Sequence, residues 1–142
     1  NQPELLPDRL EAGTVNTPGI LGLGAGLRFL KEQGMEAVAR RERAVADVLY
    51  AGLARIPRVR LLPRGALPVV SFNLQSLHSE ETARLLNRAG FALRGGLHCA
   101  PLAHQKFGTL ETGAVRASVG AFNTPEEARL LVQAVEKAAQ TP

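Results

Sequence analysis

The stretch Val59-Arg-Leu-Leu-Pro-Arg-Gly-Ala-Leu-Pro-Val-Val-Ser-Phe-Asn-Leu74 contains two strand-like segments joined by a short turn. Val59–Leu62 and Pro68–Leu74 are rich in aliphatic and β-branched residues, and Pro63-Arg-Gly-Ala66 separates them. A link this short joins antiparallel neighbours, because a parallel pair needs a crossover of roughly a dozen residues. The stretch therefore predicts the α+β (α/β) class, with a small antiparallel or mixed sheet of about four strands packed against helices.

Two helices are predicted before this hairpin. In the first, Thr17 is the expected N-cap and Pro18 the first helical residue, and Gly34 ends the helix. The second is expected over about Met35–Arg55, where aliphatic residues recur at helical spacing.

Two further helices and two further strands are predicted after the hairpin. Ser79 is expected to cap a helix that ends at Gly90, and the capping box Thr124-Pro-Glu-Glu127 opens the last helix. Phe91–Arg94 and Val115–Val119 have the apolar, β-branched composition of short strands.

Composition excludes several classes of protein. The chain has 142 residues, a formal net charge of +4 and 45% hydrophobic residues, which fits one folded domain. Basic residues are scattered and aromatic residues make up only 4%, so we expect no nucleic-acid partner. The longest apolar run, Ile20–Leu30, contains Arg28 and is too short to cross a bilayer, so we expect no membrane association. The single cysteine excludes an intramolecular disulfide and favours a reducing, cytoplasmic setting.

The segment Arg94-Gly-Gly-Leu-His-Cys-Ala-Pro-Leu-Ala-His104 holds that single cysteine, Cys99. Cationic neighbours and a helix N-terminus lower a thiol pKa, and Pro101 is suited to the first position of a short helix just after Cys99. The segment therefore has the chemistry of a prepared nucleophile. A free cysteine is also often a small buried hydrophobe, and local chemistry leaves both interpretations open.

Two other clusters have the chemistry of anion sites. Thr14, Asn16 and Thr17 lie in a turn that leads into a helix N-terminus, which suits a phosphate. The alternative is a well-capped helix and nothing more. Arg116 lies inside an otherwise apolar strand, which suits a carboxylate held by the guanidinium. A structural ion pair, or the solvent face of an edge strand, is the alternative for Arg116.

Four motifs, in order, resemble one family. They are Glu-Ala-Gly-Thr-x-Asn-Thr-Pro-Gly-Ile from residue 11, Pro-Val-Val-Ser-Phe-Asn from residue 68, Arg-x-Gly-x-His-Cys-Ala-Pro-Leu from residue 94, and Val-Arg-x-Ser-x-Gly-x-Phe-Asn-Thr-x-Glu-Glu from residue 115. The set resembles the C-terminal part of class-V aminotransferase-fold enzymes, and within them the cysteine desulfurase and selenocysteine lyase branch. The resemblance implies the small C-terminal domain of a fold type I enzyme dependent on pyridoxal 5'-phosphate.

The resemblance also implies roles for individual residues. Cys99 resembles the thiol that takes sulfur from a cysteine substrate carried on pyridoxal phosphate, leaving a persulfide on the enzyme and releasing alanine. Arg116 resembles the arginine that holds the substrate α-carboxylate, and Arg94 a second arginine in the active site. His98 resembles the histidine beside the nucleophile. No residue is assigned to a metal.

Cofactor and partners follow from the same resemblance. Thr14 resembles the threonine that reaches the cofactor phosphate of the other subunit in a homodimer, and Asn16 and Thr17 belong to the same cofactor-binding turn. The family transfers sulfur to an acceptor protein and is associated with iron–sulfur cluster assembly. These are expectations for the whole enzyme.

The resemblance further predicts the domain organisation. Residues 1–142 are expected to be a single small C-terminal domain, with residues 1–9 as an extended arm or linker from a large cofactor domain. The family attaches pyridoxal phosphate to a lysine in a Ser-x-His-Lys-like run, and Lys31, Lys106 and Lys137 are in no such run. Because the chain also lacks an initiator methionine, we expect a fragment that is inactive alone.

Two departures from the family pattern leave the substrate and the sulfur acceptor open. Leu97 stands where many relatives carry another histidine, and Val15 replaces a frequent proline. The alternatives are another class-V activity (selenocysteine lyase, C–S lyase, aminotransferase- or epimerase-like) or a non-catalytic interaction module with a redox-active thiol.

Overall fold

The computed structural model describes residues 3–11, 13–75 and 77–140. These residues form a 3-10 turn at Asp8–Leu10, five α-helices and three β-strands. The elements, in chain order, are α1 (Thr17–Gln33), α2 (Met35–Leu53), β1 (Val59–Leu61), β2 (Val69–Leu74), α3 (Ser79–Arg88), α4 (Pro101–Phe107), β3 (Val115–Ser118) and α5 (Pro125–Gln140).

The chain divides into two compact units, residues 1–37 and residues 38–142. The first unit contains α1, which ends at Gly34 as predicted, with φ of 77°. Its N-cap is Asn16 and not Thr17, since the Asn16 side chain accepts a hydrogen bond from the Gly19 N–H at 3.0 Å. The Thr17 hydroxyl instead donates to the Val15 carbonyl.

The second unit contains an antiparallel sheet in the order β1-β2-β3. The predicted hairpin is confirmed, with Val59 opposite Leu74 and Leu61 opposite Phe72. On the other side of β2, Phe72 lies opposite Val115. Because side chains alternate along each strand, Phe72 and Val115 face the core together and are fully buried.

The fourth predicted strand, Phe91–Arg94, is reduced to one isolated bridge between Arg94 and Arg116. The end of α3 holds this segment back: the Phe91 N–H donates to the Leu86 carbonyl at 3.0 Å. The Leu93 N–H donates to the Asn87 side chain at 2.8 Å. These bonds tie the segment to α3, and only Arg94 forms a bridge to β3, so the sheet has three strands where about four were expected.

One hydrophobic cluster joins the helices of the second unit to the sheet. The amphipathic pattern of α2 and α5 explains it, because aliphatic residues three and four apart lie on one helix face. Its largest fully buried members are Leu49, Leu53, Val70, Phe72, Leu74, Leu86, Val115 and Val135. In the described parts of the chain, no helix combines the length and apolar character needed to cross a membrane.

Capping at the later helices is partly as expected. The capping box of α5 is confirmed: the Glu127 N–H donates to the Thr124 hydroxyl, and the Thr124 N–H donates to the Glu127 carboxylate at 2.8 Å. That backbone hydrogen bond lowers the pKa of Glu127. The predicted cap at Ser79 is wrong, because the His78 side chain caps α3 by accepting from the Glu80 N–H.

Candidate active site around Cys99

Two arginines lie side by side at the edge of the sheet. The Arg94 N–H donates to the Arg116 carbonyl at 3.4 Å, and the Arg116 N–H donates to the Arg94 carbonyl at 2.8 Å. Residues paired directly across an antiparallel bridge have side chains on the same face. The bridge therefore places on one face the side chains of the two arginines that the sequence analysis proposed for substrate binding.

The charge of this arginine pair is not neutralised within the described residues. Over 3–11, 13–75 and 77–140, no Asp or Glu forms an ion pair with Arg94 or Arg116. Like charges directly opposite each other on a sheet are destabilising, so an anion between them would be stabilising. The structural ion pair considered for Arg116 is therefore absent from the described part of the chain.

An open groove of about 570 Å³ lies against the arginine pair. Asn87 and Ser118 add an amide and a hydroxyl to its lining. Planar guanidinium groups bind carboxylates through two parallel hydrogen bonds, so the groove suits a small anionic ligand. Cys99 is not among the lining residues that the structure describes, and it lies on the turn that follows Arg94.

Cys99 lies on a turn with an uncommon backbone conformation. His98 and Cys99 both have positive φ, at 52° and 59°, a region that residues other than glycine seldom adopt. Such conformations cost on the order of 1–3 kcal/mol each and persist only where the surroundings impose them. The Cys99 side chain is exposed, and this excludes the buried-hydrophobe interpretation. As predicted, Pro101 opens the short helix that follows, with Ala100 as its N-cap.

The His98 ring connects this turn to the start of β3. Its Nε2 lies 2.9 Å from the Ala114 carbonyl, so Nε2 carries the donated proton. Its Nδ1 is buried, and in the described part of the chain it has no hydrogen-bond partner. Burial lowers the pKa of His98 below 6.5, with smaller contributions from Arg116, Arg94 and His104, while the bond to Ala114 opposes them. A neutral ring with a free Nδ1 lone pair is the favoured form.

The start of the cysteine segment packs directly on α3. A Cβ atom on Gly95 would collide with the Ser79 carbonyl oxygen and lie 2.7 Å from the Glu80 Cα. Gly96 has φ of 106° and is buried. Gly95 therefore permits the segment to approach the backbone of α3 closely, and Gly96 permits the turn. The sequence analysis did not identify Ser79 and Glu80 as the part of α3 on which the glycines pack.

The turn at Thr14, Asn16 and Thr17 lies in the first unit and is exposed. The Asn16 carbonyl oxygen is used in capping α1, which leaves its amide group for a ligand. The Thr14 hydroxyl has no hydrogen-bond partner among residues 3–11, 13–75 and 77–140. The turn keeps the donors that a phosphate needs, next to the N-terminus of a 17-residue helix.

These residues fit part of a pyridoxal phosphate site. The arginine pair matches the carboxylate of an amino acid, and the Thr14 turn matches a phosphate. The three lysines of the chain, Lys31, Lys106 and Lys137, are all exposed on helices. Each of the two units therefore has donors suited to an anionic group.

The family model described as aminotransferase class-V matches residues 3–131. The chain belongs to the class-V aminotransferase family. The match includes the arginine pair, the Cys99 turn and the Thr14 turn.

Relatives of this class-V aminotransferase chain include cysteine desulfurases. It is 35% identical to a probable cysteine desulfurase of Synechocystis sp., covering 92% of this chain and 32% of the relative. It is also similar to the apo structure of a cysteine desulfurase from Thermococcus onnurineus NA1, with a TM-score of 0.83, 33% identity, and 94% of this chain and 34% of that one covered.

A third similarity shows the fold alone. It is to the C-DES variant K223A, whose structure is described as having glycine covalently linked to the PLP cofactor. The TM-score is 0.71 at 24% identity, over 95% of this chain and 32% of that one. In these comparisons the chain spans about a third of the length of the proteins it matches.

We expect Gly95→Ala to destabilise the chain by about 1–3 kcal/mol, because the added methyl group has no space beside Ser79 and Glu80. Urea denaturation followed by circular dichroism measures this change. Gly65→Ala is the matched control, since a Cβ at Gly65 meets nothing within 4 Å. Equal stability of the two variants would contradict the close packing of the cysteine segment on α3.

The lowered pKa of His98 predicts a pH dependence of stability. Unfolded His98 binds its proton near pH 6.5, while the folded protein binds it only at lower pH, so acidification below pH 6.5 favours unfolding. We expect the free energy of unfolding to fall less in His98→Asn than in the unmodified chain between about pH 7.5 and pH 5.5, the window around the ordinary histidine pKa. Asparagine is chosen because it tolerates positive φ. Urea titrations at the two pH values measure the change.

The control for that measurement is His78→Asn. It removes a different histidine, and asparagine is also a strong N-cap residue for α3. If the unmodified chain and the His98→Asn variant lose the same stability on acidification, the burial of His98 is not linked to proton binding.

Proposed function

We propose that this chain is the C-terminal part of a cysteine desulfurase that moves sulfur from L-cysteine to Cys99 and releases alanine. The observation that carries the proposal is the exposed Cys99 thiol on a strained turn five residues after one member of an unneutralised arginine pair. A nucleophile and a carboxylate site on one short segment are what this reaction requires. The identity of the relatives as cysteine desulfurases supports the same substrate.

In this proposal, Arg116 holds the substrate α-carboxylate and Arg94 supports it. Arg116 is half-buried in β3, and Arg94 is exposed at the bridge. A rigid strand fixes a guanidinium better than a loop, because its backbone hydrogen bonds constrain it on both sides. Binding the carboxylate at the sheet edge directs the rest of the amino acid towards the turn that follows Arg94.

The chemical step uses the thiolate of Cys99. Its Sγ attacks the sulfur of the bound cysteine, an S–S bond forms, and the C–S bond of the substrate breaks. The electron pair of that bond goes to the substrate carbon, which takes up a proton and leaves as alanine. Pyridoxal phosphate, when bound, serves as the electron sink that makes this bond cleavage possible. The product on this chain is a Cys99 persulfide.

We propose that His98 holds or accepts a proton beside this step. Its Nε2–H bond to Ala114 fixes the tautomer, and this leaves Nδ1 as the free acceptor. The lowered pKa keeps the ring neutral near pH 7, so the ring adds no positive charge to the turn.

The proposal also gives the first unit a role in cofactor binding and in assembly. We propose that Thr14, with Asn16 and Thr17, contacts the cofactor phosphate of a second subunit in a homodimer. The exposed donors of this turn support that role. In the same proposal the chain is the small domain, residues 1–9 are a linker, and the lysine that binds pyridoxal phosphate belongs to a separate large domain.

The fate of the sulfur is also part of the proposal. An exposed persulfide can pass its terminal sulfur to the thiol of an acceptor protein, which would supply iron–sulfur cluster assembly. Leu97 and Leu102 flank Cys99 as exposed apolar side chains that an acceptor would cover. A reducing compartment such as the cytoplasm keeps Cys99 in its free form between turnovers.

Cys99→Ala in the full-length enzyme tests the sulfur-transfer step. We expect alanine release from L-cysteine to fall on the order of 10³-fold or more, with the absorbance of bound pyridoxal phosphate unchanged, because only the nucleophile is lost. Cys99→Ser keeps the side-chain size and should be equally inactive.

Leu102→Ala is the control for that test, because Leu102 is exposed close to Cys99 and carries no reactive group. Unchanged turnover in Cys99→Ala would rule out the persulfide step and favour a different class-V activity. Loss of turnover in Leu102→Ala as well would indicate damage to the turn.

The isolated 142-residue chain tests the division of the active site. Mixed with pyridoxal phosphate and L-cysteine at neutral pH, it should release no alanine and develop no saturable absorbance band of bound cofactor. The physical reason is that its three lysines are exposed on helices, whereas a lysine that forms a Schiff base is typically buried. Adding the upstream domain as a separate chain should restore both signals. Alanine release by the isolated chain would overturn this part of the proposal.

A further inference from the structure

The hydroxyl of Ser79 lies between two loops of the candidate site. Its Oγ donates to the Thr112 carbonyl at 2.5 Å and accepts from the Gly96 N–H at 3.1 Å. Its backbone N–H also donates to the Thr112 carbonyl, at 3.2 Å. Ser79 is completely buried, so no solvent competes for these bonds.

Both loops lead directly to residues of the proposed chemistry. Gly96 is three residues before Cys99, and Thr112 is four residues before Arg116. The loops are tied to each other as well, since the Ala114 N–H donates to the Gly96 carbonyl at 3.1 Å. One hydroxyl group therefore connects the nucleophile segment, the carboxylate segment and the start of α3.

Steric contacts at Gly113 also restrict the space around the Ser79 hydroxyl. A Cβ on Gly113 would lie 2.6 Å from the Ser79 Oγ and 2.8 Å from the Gly96 Cα. Backbone from both loops is thus packed against the hydroxyl without room for a further atom. Among the hydrogen bonds of the described residues, the bond to the Ser79 Oγ is the only one that joins Gly96 to α3.

We propose that Ser79 is a positioning residue for Cys99. It holds Gly96 against α3 and so maintains the strained turn that presents the thiol, while β2 holds β3 and Arg116 independently. This inference rests on the proposed desulfurase function, and it adds a residue that contacts neither substrate nor cofactor.

Ser79→Ala in the full-length holoenzyme tests the inference. We expect kcat for alanine release to fall about tenfold or more while KM for L-cysteine changes by less than about threefold, because the thiol is displaced and the carboxylate site is not. We also expect the Gly96 amide to exchange hydrogen about tenfold faster, since its acceptor is gone.

Thr82→Ala is the matched control. Thr82 is another fully buried hydroxyl on α3, and its Oγ1 donates within the helix to the His78 carbonyl and not to the cysteine segment. A general loss of stability would affect both variants alike, whereas positioning predicts a kcat loss in Ser79→Ala alone. Equal kcat losses in the two variants, or none in Ser79→Ala, would overturn the inference.

If Ser79→Ala does not fold, hydrogen exchange in the unmodified enzyme tests the inference instead. The inference expects the Gly96 and Thr82 amides to exchange at the same rate, because the turn and the start of α3 open together. Exchange of Gly96 about tenfold faster than Thr82 would overturn it. These outcomes are separate from failure of the proposed function, which is marked by desulfurase activity that does not depend on Cys99.

Discussion

The backbone pairing of Arg94 with Arg116 is the contact on which the candidate site depends. Two hydrogen bonds hold a loop segment beside the edge strand β3, and the next contact along, from the Ala114 N–H to the Gly96 carbonyl, continues the alignment. Without this pairing, Arg94 would lie on a loop with no backbone bond to hold it beside Arg116 in β3. With it, two positive charges face one groove with no carboxylate from the described residues, and this arrangement favours an anionic ligand.

The turn at His98 and Cys99 depends on the same anchoring. Two consecutive residues with positive φ are unfavourable in an isolated chain, so the surrounding contacts must supply the difference. The His98 ring binds the Ala114 carbonyl on one side, and Gly96 binds Ser79 on the other. A thiol on an imposed turn is pre-organised, because the turn that carries it is already ordered.

Features that depend on a few neighbouring residues were predictable. The capping box at Thr124, the end of α1 at Gly34 and the start of α4 at Pro101 are set by local backbone chemistry, and all three are confirmed. The caps of α1 and α3 were displaced by one residue. Asn16 and His78 cap those helices because a side chain one position earlier reaches the free N–H groups.

The sequence by itself determined the hairpin, the helices, the family motifs and the identity of the candidate groups, since these depend on side-chain type and spacing. Only the tertiary structure decided that Phe91–Arg94 is a single bridge, that Cys99 is exposed, and that Ser79 packs on the glycine turn. The reason is that these outcomes depend on how packed segments meet, which the spacing of residues along one segment does not determine. The Gly96 N–H, for example, donates to the side chain of Ser79, which lies 17 residues earlier in the chain.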